Sequence, residues 1–170
     1  TVADLLRKQA DTRAHAVALE DARGMLSYVE LDRAASRLAQ ALLVRGLRAG
    51  DRVAVLSENC REYLQLQLAA AKIGVVVACL NWRLADAEIT HCLRLVSPCM
   101  VFVSLRHAPT LARVEHGVPQ VILIETQFDT FLAGVLEDDP RIDVDPEQGL
   151  VILYTSGTTG HPKGAVHSQH

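Results

Sequence analysis

Lysine is nearly missing from this chain: Lys8, Lys72 and Lys163 are the only three among 17 basic residues. Against 20 acidic residues the formal charge is −3, so neither nucleic acid nor an anionic membrane surface is an expected partner. Cysteine is sparse as well. Cys60, Cys79, Cys92 and Cys99 are widely spaced with no C-x-x-C pair. That argues against a disulfide framework or a zinc site and favours small buried hydrophobes in a reducing, cytoplasmic compartment. His167 and His170 lack a third ligand nearby, so no metal centre is expected from them. No apolar run is long enough for a transmembrane segment, and no secretory leader precedes the first helical pattern. The first residue is Thr1 in place of a methionine, which suggests an edited start.

What is present is an ordinary globular composition, 49% hydrophobic and 22% charged over 170 residues, enough for one domain with a buried core. Strand and helix patterns alternate along it. Residues 2–13 read as an amphipathic helix that Thr1 can cap, and 15–20 with 25–28 as a short hairpin. Ser27 and Glu30 form an S-x-x-E capping box. It opens a helix with Leu31, Ala35, Leu38 and Leu42 on one face, ended by Gly46. After a strand at 52–57, Asn59 and Glu62 repeat the capping logic for a helix that Gly74 closes. The run 75–80 predicts a strand buried on both faces. Further on, 86–96 and 106–116 predict helices, 99–104 and 120–125 strands, and the acidic, proline-punctuated 137–149 an exposed connector. Residues 150–154 form the last clear strand. Such alternation implies an α/β fold, a largely parallel sheet flanked by helices, with ligands outside the carboxyl ends of the strands.

The last strand feeds directly into YTSGTTGHPKGA, residues 154–165. Gly157, Gly160 and Gly164 permit positive φ and close approach of backbone to a ligand, and successive N–H groups in such a turn make an anion nest. Thr155, Ser156, Thr158 and Thr159 add hydroxyl donors, Lys163 a compact positive charge, and Pro162 stiffens the approach to it. These are the parts of a polyphosphate cradle. It is not a Walker A loop, which would need Gly in place of Pro162 and Ser or Thr in place of Gly164.

YTSGTTGHPKGA resembles the phosphate-binding loop of the adenylate-forming superfamily, which includes acyl-CoA synthetases, aryl-CoA ligases, luciferases and the adenylation domains of peptide synthetases. The stretch LSYVELDRAASRLAQALLVRGLRAGDRVAVLSENCREYLQLQLAAAKIGVVVACLNWRLADAEI, residues 26–89, is similar to the N-terminal region of the same family. Asn81-Trp82-Arg83-Leu84 is similar to the CoA-ligase branch, although a lone Trp82 also fits simple packing. The resemblance implies ATP, Mg²⁺ and coenzyme A as cofactors and a small carboxylic acid as substrate. It implies an acyl-adenylate and pyrophosphate, then a thioester. It assigns the outgoing phosphates to Thr155, Ser156, Gly157, Thr158, Thr159, Gly160 and Lys163.

The chain departs from the pattern at Gln169, where many members carry His. In the family, the adenine pocket, the magnesium-binding glutamate, the hinge and the C-terminal catalytic lysine lie downstream of this loop. Residues 1–170 are therefore expected to be part of the large N-terminal AMP-binding domain, without the C-terminal domain and inactive alone. Two alternatives stay open: a short nucleotide-binding module, and a homo-oligomer self-associating through an unpaired edge at Val151-Ile-Leu153.

Overall fold

A computed structural model describes residues 1–155 and 161–170. Helix α1, Val2–Thr12, starts at Thr1, whose hydroxyl accepts from the Asp4 amide while the Asp4 carboxylate reaches back. Strands β1, Val17–Asp21, and β2, Gly24–Ser27, pair antiparallel as a separate hairpin. Ser27 then caps α2, Tyr28–Val44, and Glu30 accepts from the Ser27 amide at 2.8 Å. The predicted stripe Leu31, Ala35, Leu38 and Leu42 is buried.

Strand β3, Arg52–Leu56, leads through α3, Arg61–Ile73, to β4, Val76–Cys79. Helix α4, Asp86–Val96, returns the chain to β5, Met100–Val103; α5, Ala108–Arg113, leads on to β6, Gln120–Leu123. After α6, Ile124–Phe131, the chain crosses to β7, Gly149–Thr155, and turns back as β8, Lys163–Ser168. The six-stranded sheet has the order β6-β5-β3-β4-β7-β8, parallel except for β8.

The order explains the layers. From β3 the chain steps to β4 on one side, then jumps back over β3 to β5. Right-handed crossovers running in opposite directions put their helices on opposite faces. Hence α2, α3 and α6 cover one face, packing Leu38, Leu42, Leu66 and Phe128 on Val53, Val55, Val77 and Phe102. Helices α4 and α5 cover the other, with Ile89, Cys92, Leu93 and Leu111 on Ala54, Leu56, Ala78 and Val103. Strands buried on both faces show continuous apolar runs, as the sequence of β4 and β5 does.

Several expectations need correction. Asn59 does not cap α3: the helix starts at Arg61, its N-cap is Cys60 with no side-chain bond, and the Glu62 carboxylate pairs with Arg23 at 2.7 and 3.0 Å. Gly74 does close that helix, in the left-handed conformation at φ 72°. The strand expected at 120–125 ends at Leu123. Gln127 accepts from the Leu123 amide at 2.8 Å and turns the chain into α6, whose Ile124, Phe128 and Phe131 sit on the core. Cys79 and Cys92 are buried as expected, but Cys60 is only half-buried and Cys99 is exposed, since it precedes β5 at the sheet's rim.

The connector at 137–149 is not exposed throughout. Asp139 accepts from Arg7 at 2.7 Å and from Lys72 at 2.6 Å, and Lys72, wholly buried, also donates to Asp32 at 2.8 Å. Burial pushes the Asp139 carboxyl up, but Arg7 and Lys72 override it and hold it well below the usual carboxylate range. The connector is thus a strap fastened to α1 and α3. Finally, Val151-Ile-Leu153 is no free edge: β7 is bonded to β4 on one side and β8 on the other. Self-association through that strand has no unpaired edge to use.

Candidate phosphate-binding site

Strand β7 carries the candidate loop on its carboxyl end because its first half is anchored: Leu150 and Ile152 are buried, on opposite faces of the sheet. Its partner β8 returns antiparallel in the register Leu153↔Ala165, Tyr154↔Gly164 and Thr155↔Lys163. Lys163, expected within the loop, is therefore the first residue of a strand, directly across from Thr155. Both side chains are exposed. No carboxylate among the described residues lies within ion-pair distance of Lys163. Of the seven predicted phosphate ligands, Thr155 and Lys163 are thus brought together. Ser156, Gly157, Thr158, Thr159 and Gly160 lie outside the described residues.

The stem of the loop is tied to α4. The Tyr154 hydroxyl donates to the Cys92 carbonyl at 3.2 Å, and burial pushes its phenol well above the usual range. His91 Nε2 lies 3.2 Å from the Pro162 carbonyl, and the His91 ring stacks on His161 at 5.0 Å between centroids. Pro162 itself is buried. Gly164 serves the stem sterically: its φ is not in the left-handed region, but an added Cβ would stand 2.9 Å from Ile152 Cγ2. That corrects the expectation of positive φ at this glycine. Buried thiols near the stem are inert, the Cys92 thiol being pushed up to about 11 by burial and then by Glu88. Trp82 is half-buried against the α4–α5 core and stacks on His107 at 5.4 Å, which fits the packing role.

Two clefts open at the same end of the sheet. One, of about 630 Å³, lies beyond β3 and β5 and is lined by Ser57, Glu58, Ser104, Arg106 and Glu125. It sits where adjacent strands send their connections to opposite sides, the usual crevice of such sheets. Sequence reading missed it because strand order is not visible in the sequence. Its arginines are already satisfied, Arg23 by Glu62 and Arg106 by Glu58. The other, of about 570 Å³, is lined by Tyr63, Leu64, Gln67, Cys79 and Leu153, beside the β7 stem. Among the described residues no group of three or more His, Cys, Asp or Glu is arranged to hold a metal ion. No described helix is long and apolar enough to cross a membrane.

Thr155 and Lys163, paired in register and exposed at the carboxyl end of a buried strand, suit an anionic phosphate chain. Over residues 6–170 the sequence matches the AMP-binding enzyme family. The chain belongs to that family. It is 36% identical over 143 residues to a fatty acid–[acyl-carrier-protein] ligase of Streptomyces coeruleorubidus, covering 83% of this chain and 28% of that protein. A long-chain-fatty-acid–CoA ligase of Mycobacterium tuberculosis is 34% identical over 148 residues, covering 84% of this chain and 29% of the relative. The fold superposes on the inhibitor-bound N-terminal domain of FACL13 from M. tuberculosis with a TM-score of 0.91 and 31% identity, across 99% of this chain and 44% of that one. The chain of this AMP-binding family member therefore spans less than a third of the curated relatives' length.

Proposed function

We propose that residues 1–170 are part of the N-terminal AMP-binding domain of an ATP-dependent acid–thiol ligase, the C-terminal domain lying outside the chain. The observation that carries this reading is the pairing of Thr155 with Lys163 at the mouth of the β7–β8 hairpin. On this reading a carboxylate attacks the α-phosphorus of ATP, pyrophosphate leaves, and a thiol then displaces AMP to give a thioester. Thr155, Ser156, Gly157, Thr158, Thr159, Gly160 and Lys163 hold the departing phosphates. Lys163 acts as a fixed point charge, so its contribution is electrostatic and geometric, with no proton transferred. Mg²⁺ would accompany ATP as a counter-ion of its phosphates, and the glutamate that the resemblance assigns to it is expected downstream of the loop. Coenzyme A is the acceptor thiol this reading favours. The acyl-carrier-protein ligase among the relatives makes a carrier-protein thiol the second acceptor to assay.

The test begins with an immunoblot of source cells, where a band several times larger than 18.5 kDa is expected. The protein so found should then catalyse acid-dependent exchange of pyrophosphate into ATP. A Lys163→Ala variant should lose about tenfold to a hundredfold in kcat/KM for ATP, the value of one charge-assisted hydrogen bond. Exchange that is absent, or indifferent to Lys163→Ala, sinks the reading.

A further inference from the structure

Helix α4 lies outside the loop, yet it grips the stem on both sides of the turn. Upstream, Tyr154 donates to the Cys92 carbonyl; downstream, His91 meets the Pro162 carbonyl at 3.2 Å. A carbonyl can only accept, so the proton of this bond sits on His91 Nε2. The core stripe of α4 is Ile89, Cys92, Leu93 and Val96, and His91 stands off it, half-buried, on the side facing the hairpin. One turn further, Leu95 points the same way: its Cδ2 is 3.8 Å from the place a Gly164 Cβ would occupy. The contacts of His91, Cys92 and Leu95 thus fall on His161, Pro162, Tyr154 and the space at Gly164, the residues that frame Lys163.

We infer that His91 is a positioning residue for phosphate binding, holding the Pro162 carbonyl so that Lys163 is presented across from Thr155. The inference rests on the reading above that this loop takes ATP phosphates. Pro162 has no N–H and a fixed φ, so pinning its carbonyl fixes the peptide plane that leads into Lys163. His91 touches no reacting atom on this account. Its effect is on ground-state and transition-state binding alike, which appears in KM for ATP with little change in kcat.

Two variants separate the bond from the packing. His91→Phe keeps a ring to stack on His161 but has no donor; His91→Gln supplies a donor without the ring. In the ligase carrying this chain, labelled with ¹⁵N at histidine, lysine and glycine, ¹H–¹⁵N spectra report the amides of His161, Lys163 and Gly164 whether or not nucleotide binds. We expect His91→Phe to displace those three signals and His91→Gln to leave them near their wild-type positions. In the ligase carrying this chain, His91→Phe should raise KM for ATP about fivefold, the loss of one neutral hydrogen bond, with kcat changed less than about twofold. His91→Gln should restore it. Amides unmoved by His91→Phe, or moved equally by His91→Gln, overturn the inference. Failure of the phosphate reading looks different: Lys163→Ala then leaves KM untouched, while the amide signals still decide what His91 does.

Discussion

Replacing Asp139 by asparagine keeps the side chain's shape and removes one charge from a buried cluster. In the folded chain Asp139 receives Arg7 through two bonds, at 2.7 and 3.0 Å, and Lys72 through one at 2.6 Å. Lys72 is fully buried and the Asp139 side chain only 11% exposed, so an unpaired charge here has little water to turn to. Removing one partner of a buried pair costs about 3–5 kcal/mol. The lower end applies, because each cation keeps one carboxylate: Asp32 at 2.8 Å for Lys72 and Asp4 at 2.9 Å for Arg7. We therefore expect Asp139→Asn to lower stability by about 3 kcal/mol, a large share of the roughly 5–15 kcal/mol a domain has. With a urea slope of about 2 kcal/mol per molar, the midpoint should fall by about 1.5 M. The control is Asp86→Asn, which breaks an exposed pair with Arg113 and should leave the midpoint where it was. The reasoning is refuted if the two variants unfold together. It is also refuted if Asp139→Asn lowers the slope without moving the midpoint, since the strap would then come off as a separate unit.

The same carboxylate predicts the acid limb. Its folded pKa lies below its unfolded value of about 3.9, so its contribution is present in full above that value and is lost as pH falls through the folded one. Stability measured by urea midpoint should fall below about pH 4 in the wild type and fall less steeply in Asp139→Asn; parallel slopes would remove Asp139 from the account. At the hairpin, Gly164→Ala should cost about 1–3 kcal/mol by overpacking, since the new methyl meets Ile152 Cγ2 at 2.9 Å and the Tyr154 ring at 3.6 Å. Combined with Ile152→Ala, the double variant should lose less than the sum of the two; simple additivity would mean that the clash is not where the geometry puts it.

What could be read beforehand was local. The cap at Thr1, the capping box at Ser27 and the stop at Gly74 depend on residues a few positions apart, and each formed where expected. Continuous apolar runs marked β4 and β5 because both of their faces are covered. Failures came where a distant partner decides. Asn59 misses the cap by one position because α3 starts at Arg61, and Glu62 pairs instead with Arg23, 39 residues before it in sequence. Helix α6 was hidden in an apolar stretch whose turn depends on Gln127. Lys72 carries a clue in the sequence: it follows Gln65 and Ala69 at helical spacing on the buried side of α3, so a charge there demands a partner. Which partner could not be known, because Asp139 arrives from 67 residues away. For the loop, residue types suggested a phosphate ligand, whereas the place of Lys163 on a strand opposite Thr155 required the hairpin register.

Gln169, where the resemblance leads one to expect His, lies far from the loop. It follows β8, six residues after Lys163, which puts it about 20 Å from the loop mouth at the rise of an extended strand. Its amide N–H meets the Pro146 carbonyl at 3.1 Å, and its Nε2 donates to the Ala71 carbonyl near the end of α3, also at 3.1 Å. The side chain is buried in doing so. A glutamine there fastens the foot of the β7–β8 hairpin to the strap and to α3. A residue at that end cannot reach a phosphate held between Thr155 and Lys163. Gln169 therefore bears on how firmly the hairpin is rooted, and the case for the phosphate loop stays with the residues at the other end of the strand.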